Sequence, residues 1–139
     1  TFESCDFSNT DFSECSFIRV TFKNCKLVGC NFTHTYIHNT YFDNCNASYA
    51  NMSLTDFNDV IFVNSKLSNS SMQESVLRKV EFKYSNLIGA QLFKTNLQGI
   101  DFTTCDITGL VVLPQDLRGI IVDEYQAVEL SKLLGIIVK

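Results

Sequence analysis

Six cysteines are the residues of this 139-residue chain with the widest chemical repertoire, because thiols form disulfides, bind zinc and act as nucleophiles. They are Cys5, Cys15, Cys25, Cys30, Cys45 and Cys105. Their spacings are multiples of five, and no two form the Cys-x-x-Cys pair typical of zinc sites. Core packing, disulfides and a metal site are the alternatives, and the regular spacing favours core packing in a reducing compartment.

Catalytic motifs are missing from the rest of the sequence. His34 and His38 are the only histidines, and neither has a carboxylate or cysteine nucleophile beside it in sequence. The chain contains no glycine-rich phosphate loop, no His-Glu-x-x-His and no Gly-x-Ser-x-Gly motif. We therefore expect two solvated surface histidines, no enzymatic activity, no small-molecule substrate, no cofactor and no metal.

The spacing of the cysteines follows that of the phenylalanines. Eleven of the twelve phenylalanines lie at positions that leave remainder two on division by five, and only Phe93 is out of step. Other apolar residues fill the gaps, giving 22 consecutive apolar positions from Phe2 to Ile107. A second register, at multiples of five from Cys5 to Cys105, contains only small or β-branched residues and includes all six cysteines.

A period of five fits neither regular element. It would scatter the phenylalanines around a helix and alternate them between the two faces of a straight strand. The chain must instead turn after each unit, with the small residue and the apolar residue both facing inward. At a period of twenty, one column contains only phenylalanine, from Phe2 to Phe102. We therefore predict a solenoid with four units per coil and a core filled by side chains.

Two units show the repeat at its clearest: Ala50-Asn51-Met52-Ser53-Leu54 and Ser85-Asn86-Leu87-Ile88-Gly89. The sequence resembles the pentapeptide repeat family, whose unit is a small residue, Asp or Asn, Leu or Phe, and two variable residues. The resemblance covers residues 1–109 and implies an all-β fold, a right-handed quadrilateral β-helix of about five and a half coils.

Residues 110–139 follow a different period. Asp123 and Gln126 have the spacing of a capping box, apolar residues recur at helical spacing over 124–134, and Gly135 suits a helix end. This predicts a short C-terminal α-helical cap over 124–134, followed by a short strand at Ile136-Ile137-Val138. The element is either a cap alone or a cap and a dimerisation element.

The stretch from Asp116 to Ile136 is similar to the C-terminus of Qnr-type quinolone-resistance proteins within the family. Those members dimerise end to end through this element, resemble B-form DNA in size and charge, and bind DNA gyrase and topoisomerase IV. The resemblance implies a homodimer with an apolar interface. Its candidate residues are Tyr125, Val128, Leu130, Leu133, Leu134, Ile136 and Ile137.

Charge is distributed unevenly along the chain, whose net charge is −4. Residues 1–16 carry −4, residues 17–94 carry +3 and residues 95–139 carry −3. The positive middle segment does not form a basic stripe, so we do not expect direct nucleic-acid binding. In a dimer joined at the C-termini, acidic residues would instead adjoin in the centre and suit a DNA-binding saddle, although they could equally serve solubility. They are Asp101, Asp106, Asp116, Asp123 and Glu124.

The Qnr-type resemblance, taken with the acidic ends, implies a non-enzymatic DNA-mimic protein that binds gyrase or topoisomerase IV, with quinolone resistance as the expected consequence. The alternative is a structural or interaction scaffold that uses Tyr36 and Tyr41 as contact residues. No apolar run is long enough to span a membrane, and the chain begins with neither a signal peptide nor a methionine. We expect a cytoplasmic protein, either a mature domain or a piece of a longer chain.

Overall fold

Backbone pairing joins residues twenty positions apart. The computed structural model describes all 139 residues, and its parallel pairs include Phe2↔Phe22, Phe22↔Phe42 and Phe42↔Phe62. The strands are β1 (Phe2–Glu3), β2 (Ser16–Ile18), β3 (Thr21–Lys23), β4 (Tyr36–Asp43), β5 (Asp56–Val63) and β6 (Val76–Lys83). The predicted quadrilateral β-helix is confirmed as a parallel β-solenoid with four five-residue units per turn.

The phenylalanine column forms the centre of the core. From Phe2 to Phe102 successive rings stack with centroids 4.6 to 5.8 Å apart and ring planes within 8° to 23° of each other. Both predicted registers face inward, and nearly all of their members are buried from Phe17 onward. The first turn is the exception: Phe2 is 40% exposed because no turn covers it.

The corner of each unit uses a left-handed backbone. Every fifth residue from Ser4 to Gly99 has a positive φ, and Asn or Gly occupies nine of these twenty corners. This conformation costs most L-residues about 1–2 kcal/mol, but Gly and Asn tolerate it. Proline cannot adopt it at all, which excludes proline from these corners.

The five-residue units on the four faces of the solenoid adopt two backbone conformations, one compact and one extended. We number the faces by their columns: face 1 carries Phe2, face 2 Phe7, face 3 Phe12 and face 4 Phe17. On faces 2 and 3 the units are compact, and an Asn or Asp between the two inward residues often accepts the N–H two residues ahead, as Asn31 does from Thr33 at 3.0 Å. On faces 4 and 1 the chain is extended and forms strands β4, β5 and β6.

The C-terminal end combines ladder and helix. Pairing continues past residue 109 as far as Asp101↔Ile121, with a 3₁₀ turn at Pro114–Leu117. The helix α1 (Glu124–Ser131) begins at the expected capping box, and a 3₁₀ turn (Lys132–Leu134) follows it. Gly135 ends that turn with a φ of 74°. No helix in the structure has the length and apolar character that crossing a membrane requires.

The prediction of a strand at Ile136-Ile137-Val138 is wrong, because these residues form no ladder pair. Their β-branched side chains favour an extended backbone, but a strand also needs a free edge with which to pair. The ladder ends at Ile121, before α1 begins, so the final residues have no partner within the chain.

The corners yield a stability prediction. Leu54 has a φ of 56° and a side chain that is 45% exposed. Replacing it by Asn should raise the free energy of unfolding by about 1 kcal/mol, because Asn tolerates this backbone conformation. The measurement is urea denaturation. The reverse change at an equivalent exposed corner, Asn64→Leu, should lower stability by a similar amount, and changes of the same sign in both variants would contradict the explanation.

Candidate functional site

The last turn of the solenoid is closed by a side chain. Within the repeats, the carbonyl of a core residue accepts a hydrogen bond from a small side chain of the next turn, as Phe2 does from the Cys25 thiol at 3.3 Å. At the end, the Gln126 amide Nε2 donates instead to the carbonyls of Phe102 at 2.7 Å and Cys105 at 2.9 Å. One glutamine thus replaces part of a further turn and fixes α1 over the open end.

The apolar residues proposed for dimerisation divide into two groups. Leu130 is only 8% exposed and belongs to the core, so it anchors α1 and does not face a partner. The other six are exposed: Tyr125, Val128, Leu133, Leu134, Ile136 and Ile137. Val138, which the sequence analysis left out, is exposed as well. A short segment that exposes this much apolar surface is typical of an interaction site.

The acidic residues gather at the same end. Asp106 and Asp123 line an open cleft between the last turn and α1, and Glu129 lines it too. Sequence reasoning missed Glu129, although its place on α1 one turn after Tyr125 could have indicated it. A hydrogen bond and ion pair from Lys132, at 2.8 Å, lower the pKa of Glu129. Lys132 therefore favours the charged form of Glu129.

Two further acidic candidates border this end. Asp101 lines a neighbouring crevice on face 1, and hydrogen bonds from Thr103 lower its pKa. Glu124 lies at the first position of α1 beside Asp123 and is exposed. Asp106 and Asp101 each accept a backbone N–H two residues ahead with Oδ1, so these acids also shape the turns they occupy.

Asp116 lies apart from the other acids. Its Oδ2 accepts the backbone N–H of Lys94 at 3.1 Å and that of Leu113 at 2.9 Å. Its side chain lines a different, polar cleft that also contains Arg118. The structure therefore does not bring Asp116 together with the rest, because it stabilises the start of the 3₁₀ turn at Pro114–Leu117.

Four of the six cysteines are hydrogen-bonding core residues, whereas Cys5 is half-buried and Cys15 is exposed in the first turn, where the expected core packing does not hold. The thiols of Cys25, Cys45 and Cys105 each lie 3.3 Å from a phenylalanine carbonyl of the preceding turn. Ser65 and Ser85 occupy the same column and donate in the same way at 3.3 and 3.4 Å. All six cysteines are free, and no three potential metal ligands come together. Burial raises the pKa of Cys45 to about 11, which keeps the thiol protonated as a donor.

Neither histidine takes part in a catalytic arrangement. His34 occupies an exposed left-handed corner. The expectation of a solvated histidine is wrong for His38. Its Nε2 atom is enclosed without a hydrogen bond, because the pairing of β4 with β5 brings it within 3.6 Å of the Asp56 carboxylate, which Arg78 binds at 2.7 Å. Tyr36 and Tyr41, the alternative contact residues, are 54% and 47% exposed on β4.

The fold and the unit together define a class: solenoids built from stacked five-residue repeats. A family profile described as "Pentapeptide repeat region" matches residues 1–60 and 37–112. The chain belongs to the pentapeptide repeat family. No curated protein sequence matches it.

Solved structures of the family share the fold at low sequence identity. A trypsin-treated form of QnrB1, described as a plasmid-mediated fluoroquinolone resistance protein, is 22% identical, and the match covers 99% of this chain and 86% of that one with a TM-score of 0.50. The pentapeptide repeat protein alr5209 from Nostoc Pcc 7120 is 14% identical over 85% of this chain and 84% of that one, with a TM-score of 0.58.

The buried thiols generate a pH prediction. The pKa of Cys45 rises from an ordinary 9.0 to about 11 on folding, so the unfolded chain loses this proton first as pH increases. The free energy of unfolding should therefore be fully retained below pH 9 and fall between about pH 9 and 11.

Cys45→Ser tests this effect because serine keeps the hydrogen bond, as Ser65 and Ser85 do, without titrating. Urea denaturation with reductant at increasing pH should show a shallower decline for the variant than for the wild type. Parallel declines would exclude Cys45 as a source of the pH dependence.

Proposed function

We propose that this protein is a non-enzymatic, Qnr-like DNA mimic that binds DNA gyrase or topoisomerase IV. It would act in the cytoplasm as a homodimer joined at its C-terminal ends. The observation that carries the proposal is that Asp106, Asp123 and Glu129 gather at the same end of the rod as the exposed apolar residues of α1 and the tail. Joining two copies there places both acidic clefts in the centre of one longer rod.

Shape supports this function as well as charge. A positively charged saddle that accepts a DNA duplex also accepts a narrow rod with negative potential along its middle. The fluoroquinolone resistance of QnrB1, which has the same fold, and the similarity of residues 116–136 to Qnr-type termini direct the proposal to type II topoisomerases. Protection from quinolones would follow if the protein competes with DNA at the site where drug and DNA meet.

The interior supports a binding role over catalysis. Ring and aliphatic side chains fill the solenoid, and the clefts on its surface are open and mostly polar. Catalytic sites usually need an enclosed pocket with a few convergent polar groups. We therefore propose a surface function without a substrate.

A second candidate is an interaction scaffold that binds its partner through the side wall. The exposure of Tyr36 and Tyr41 on neighbouring faces of β4 favours it, because exposed tyrosines are enriched at protein interfaces. A direct binding assay with gyrase separates the two: loss of binding in Tyr36→Ala with Tyr41→Ala would favour the side wall over the acidic end.

The acidic end can be tested by removing charge without changing the turns. Asp101→Asn, Asp106→Asn and Glu124→Gln together should weaken inhibition of gyrase supercoiling about tenfold, at roughly 0.5 kcal/mol per charge. Asn preserves the turn because Asn86 and Asn96 accept the same bond elsewhere in the repeats.

The matched control removes the same number of charges at the opposite end. Asp6 and Asp11 have the same turn role, so Asp6→Asn, Asp11→Asn and Glu14→Gln should leave inhibition nearly unchanged. Equal losses in the two variants would argue against a localised acidic site, and a wild-type protein without effect on gyrase at micromolar concentration would refute the proposal.

Dimerisation can be tested separately. Leu134 is 61% exposed just before the turn at Gly135, so Leu134→Glu should convert a dimer to a monomer while leaving the core intact. Light scattering measures the mass, and circular dichroism checks the fold. The control is Ile18→Glu, which also replaces an exposed apolar residue by glutamate but lies far from α1. This variant should remain dimeric. A monomeric wild type at high concentration would contradict the interface.

A further inference from the structure

The ladder is interrupted on two faces near the C-terminal end. Strands β4 and β5 pair through seven residues, and so do β5 and β6. No backbone hydrogen bond joins β6 to residues 96–103, which form the next layer over it. Strand β6 is therefore the edge of the six-stranded sheet even though the solenoid continues beyond it.

A change of turn shape explains the interruption. In residues 96–103 the compact form replaces the extended one: Asn96 accepts the N–H of Gln98 at 3.0 Å, and Asp101 accepts that of Thr103 at 2.8 Å. Compact units on faces 4 and 1 then lie over an extended strand, and their backbone groups no longer align. The Tyr84 N–H, for example, donates to the Thr104 hydroxyl at 3.0 Å, where a turn earlier the equivalent Asn64 N–H donates to a carbonyl.

The stacked rings are also further apart at this point. The Phe82 and Phe102 centroids are 5.8 Å apart, against 4.6 to 5.3 Å for the other pairs of the phenylalanine column. A crevice opens between the layers, lined by residues that include Val80, Lys83 and Gly99. Four of the eight residues of β6 are charged, which is typical of an edge strand that is protected from pairing. They are Arg78, Lys79, Glu81 and Lys83.

The other two faces remain joined. On face 2 the Leu87 N–H donates to the Asp106 carbonyl at 2.8 Å, and on face 3 the Leu92 N–H donates to the Val111 carbonyl at 2.9 Å. Val111 returns a bond to the Ala90 carbonyl at 2.8 Å. The same two layers are thus joined by backbone hydrogen bonds along one side of the rod. Along the opposite side only side-chain bonds join them, from the Tyr84 N–H to the Thr104 hydroxyl and from the Cys105 thiol to the Phe82 carbonyl.

We infer that this asymmetry makes a hinge, about which residues 96–139 tilt away from β6 while faces 2 and 3 stay bonded. All five acidic candidates and the whole of α1 belong to residues 96–139, with Asp106 on the bonded face 2 and Asp116 bonded to the Lys94 N–H of the layer below. In the proposed dimer two such hinges flank the acidic centre, so the rod adjusts its bend to the partner that binds it. This functional consequence rests on the proposed function, whereas the hinge itself does not.

Hydrogen exchange tests the interruption directly. The amides of Leu77, Lys79 and Phe82 on β6 should exchange at least about tenfold faster than those of Phe57, Asp59 and Phe62, which occupy the same columns one turn earlier. Equal protection of the two strands would overturn the inference, because the ladder would then be closed in solution.

Thiol labelling tests the motion. Cys105 and Cys45 are both buried in one column and make the same bond to a phenylalanine carbonyl, but only Cys105 lies against the interrupted layer. Cys105 also lines the cleft under α1, so the double variant described below separates the two routes of access. Alkylation followed by mass spectrometry should modify Cys105 at least about tenfold faster than Cys45, because opening of the crevice exposes it. Equal rates would mean that the gap is static and would overturn the hinge.

A double variant should close the hinge. The substitutions are Asn96→Val and Asp101→Ile. They introduce the residue types found at the equivalent positions of extended turns, where Val76 lies one turn before residue 96 and Ile61 lies two turns before residue 101. The double variant should slow both the exchange of β6 amides and the labelling of Cys105 by about tenfold. The control, Asn86→Val with Asp106→Ile, alters face 2, where both layers are compact, and should slow neither.

If the Asn96→Val, Asp101→Ile variant showed the same β6 amide exchange and Cys105 labelling rates as the wild type, turn shape would be refuted as the cause of the hinge. None of these readouts involves gyrase. A protein that fails to inhibit supercoiling but exchanges and labels as stated would therefore retain the hinge and lose the proposed function.

Discussion

Most backbone N–H and C=O groups of a turn find their partners in the turn beside it, and the architecture follows from this requirement. A five-residue unit is too short to form a helix or a sheet by itself. Compact turns satisfy a few of these groups internally, as when the Cys30 N–H donates to the Leu27 carbonyl, and the rest need a neighbouring turn. Stacking at a twenty-residue spacing supplies the partners, and it also places like residues over like residues. The phenylalanine stack and the column of cysteines and serines are consequences of that register.

Because of this requirement, the features that distinguish one such protein from another lie at the ends of the solenoid and in its irregular layers. The interior repeats one solution from turn to turn, so it cannot distinguish this chain from another member of the family. At the C-terminal end the pattern must stop, and a glutamine amide, a buried leucine and a helix replace the missing turn. The same replacement brings exposed apolar residues and carboxylates together.

Much of this arrangement can be predicted from the sequence. A period of five with a uniform column at twenty is compatible with few backbones, and the capping box at Asp123 and Gln126 depends only on local spacing. The fate of Leu130 and Asp116 could not be predicted, because each depends on where α1 and the 3₁₀ turn lie against the last layer. The interrupted ladder was hidden for a different reason. Asn96 and Asp101 match the repeat perfectly as residue types, and only their position above an extended strand makes them disruptive.

Four units per turn also couple length to direction. Insertion or loss of a single five-residue unit would preserve both inward registers and hence the core, yet it would rotate everything downstream by a quarter of a turn about the rod axis. Such a change would leave composition almost untouched while pointing the acidic cleft toward a different side. In this architecture the direction that a surface faces is therefore set by the number of five-residue units before it. Insertions or deletions of whole units can change which partner that surface contacts, in a way that point substitutions cannot.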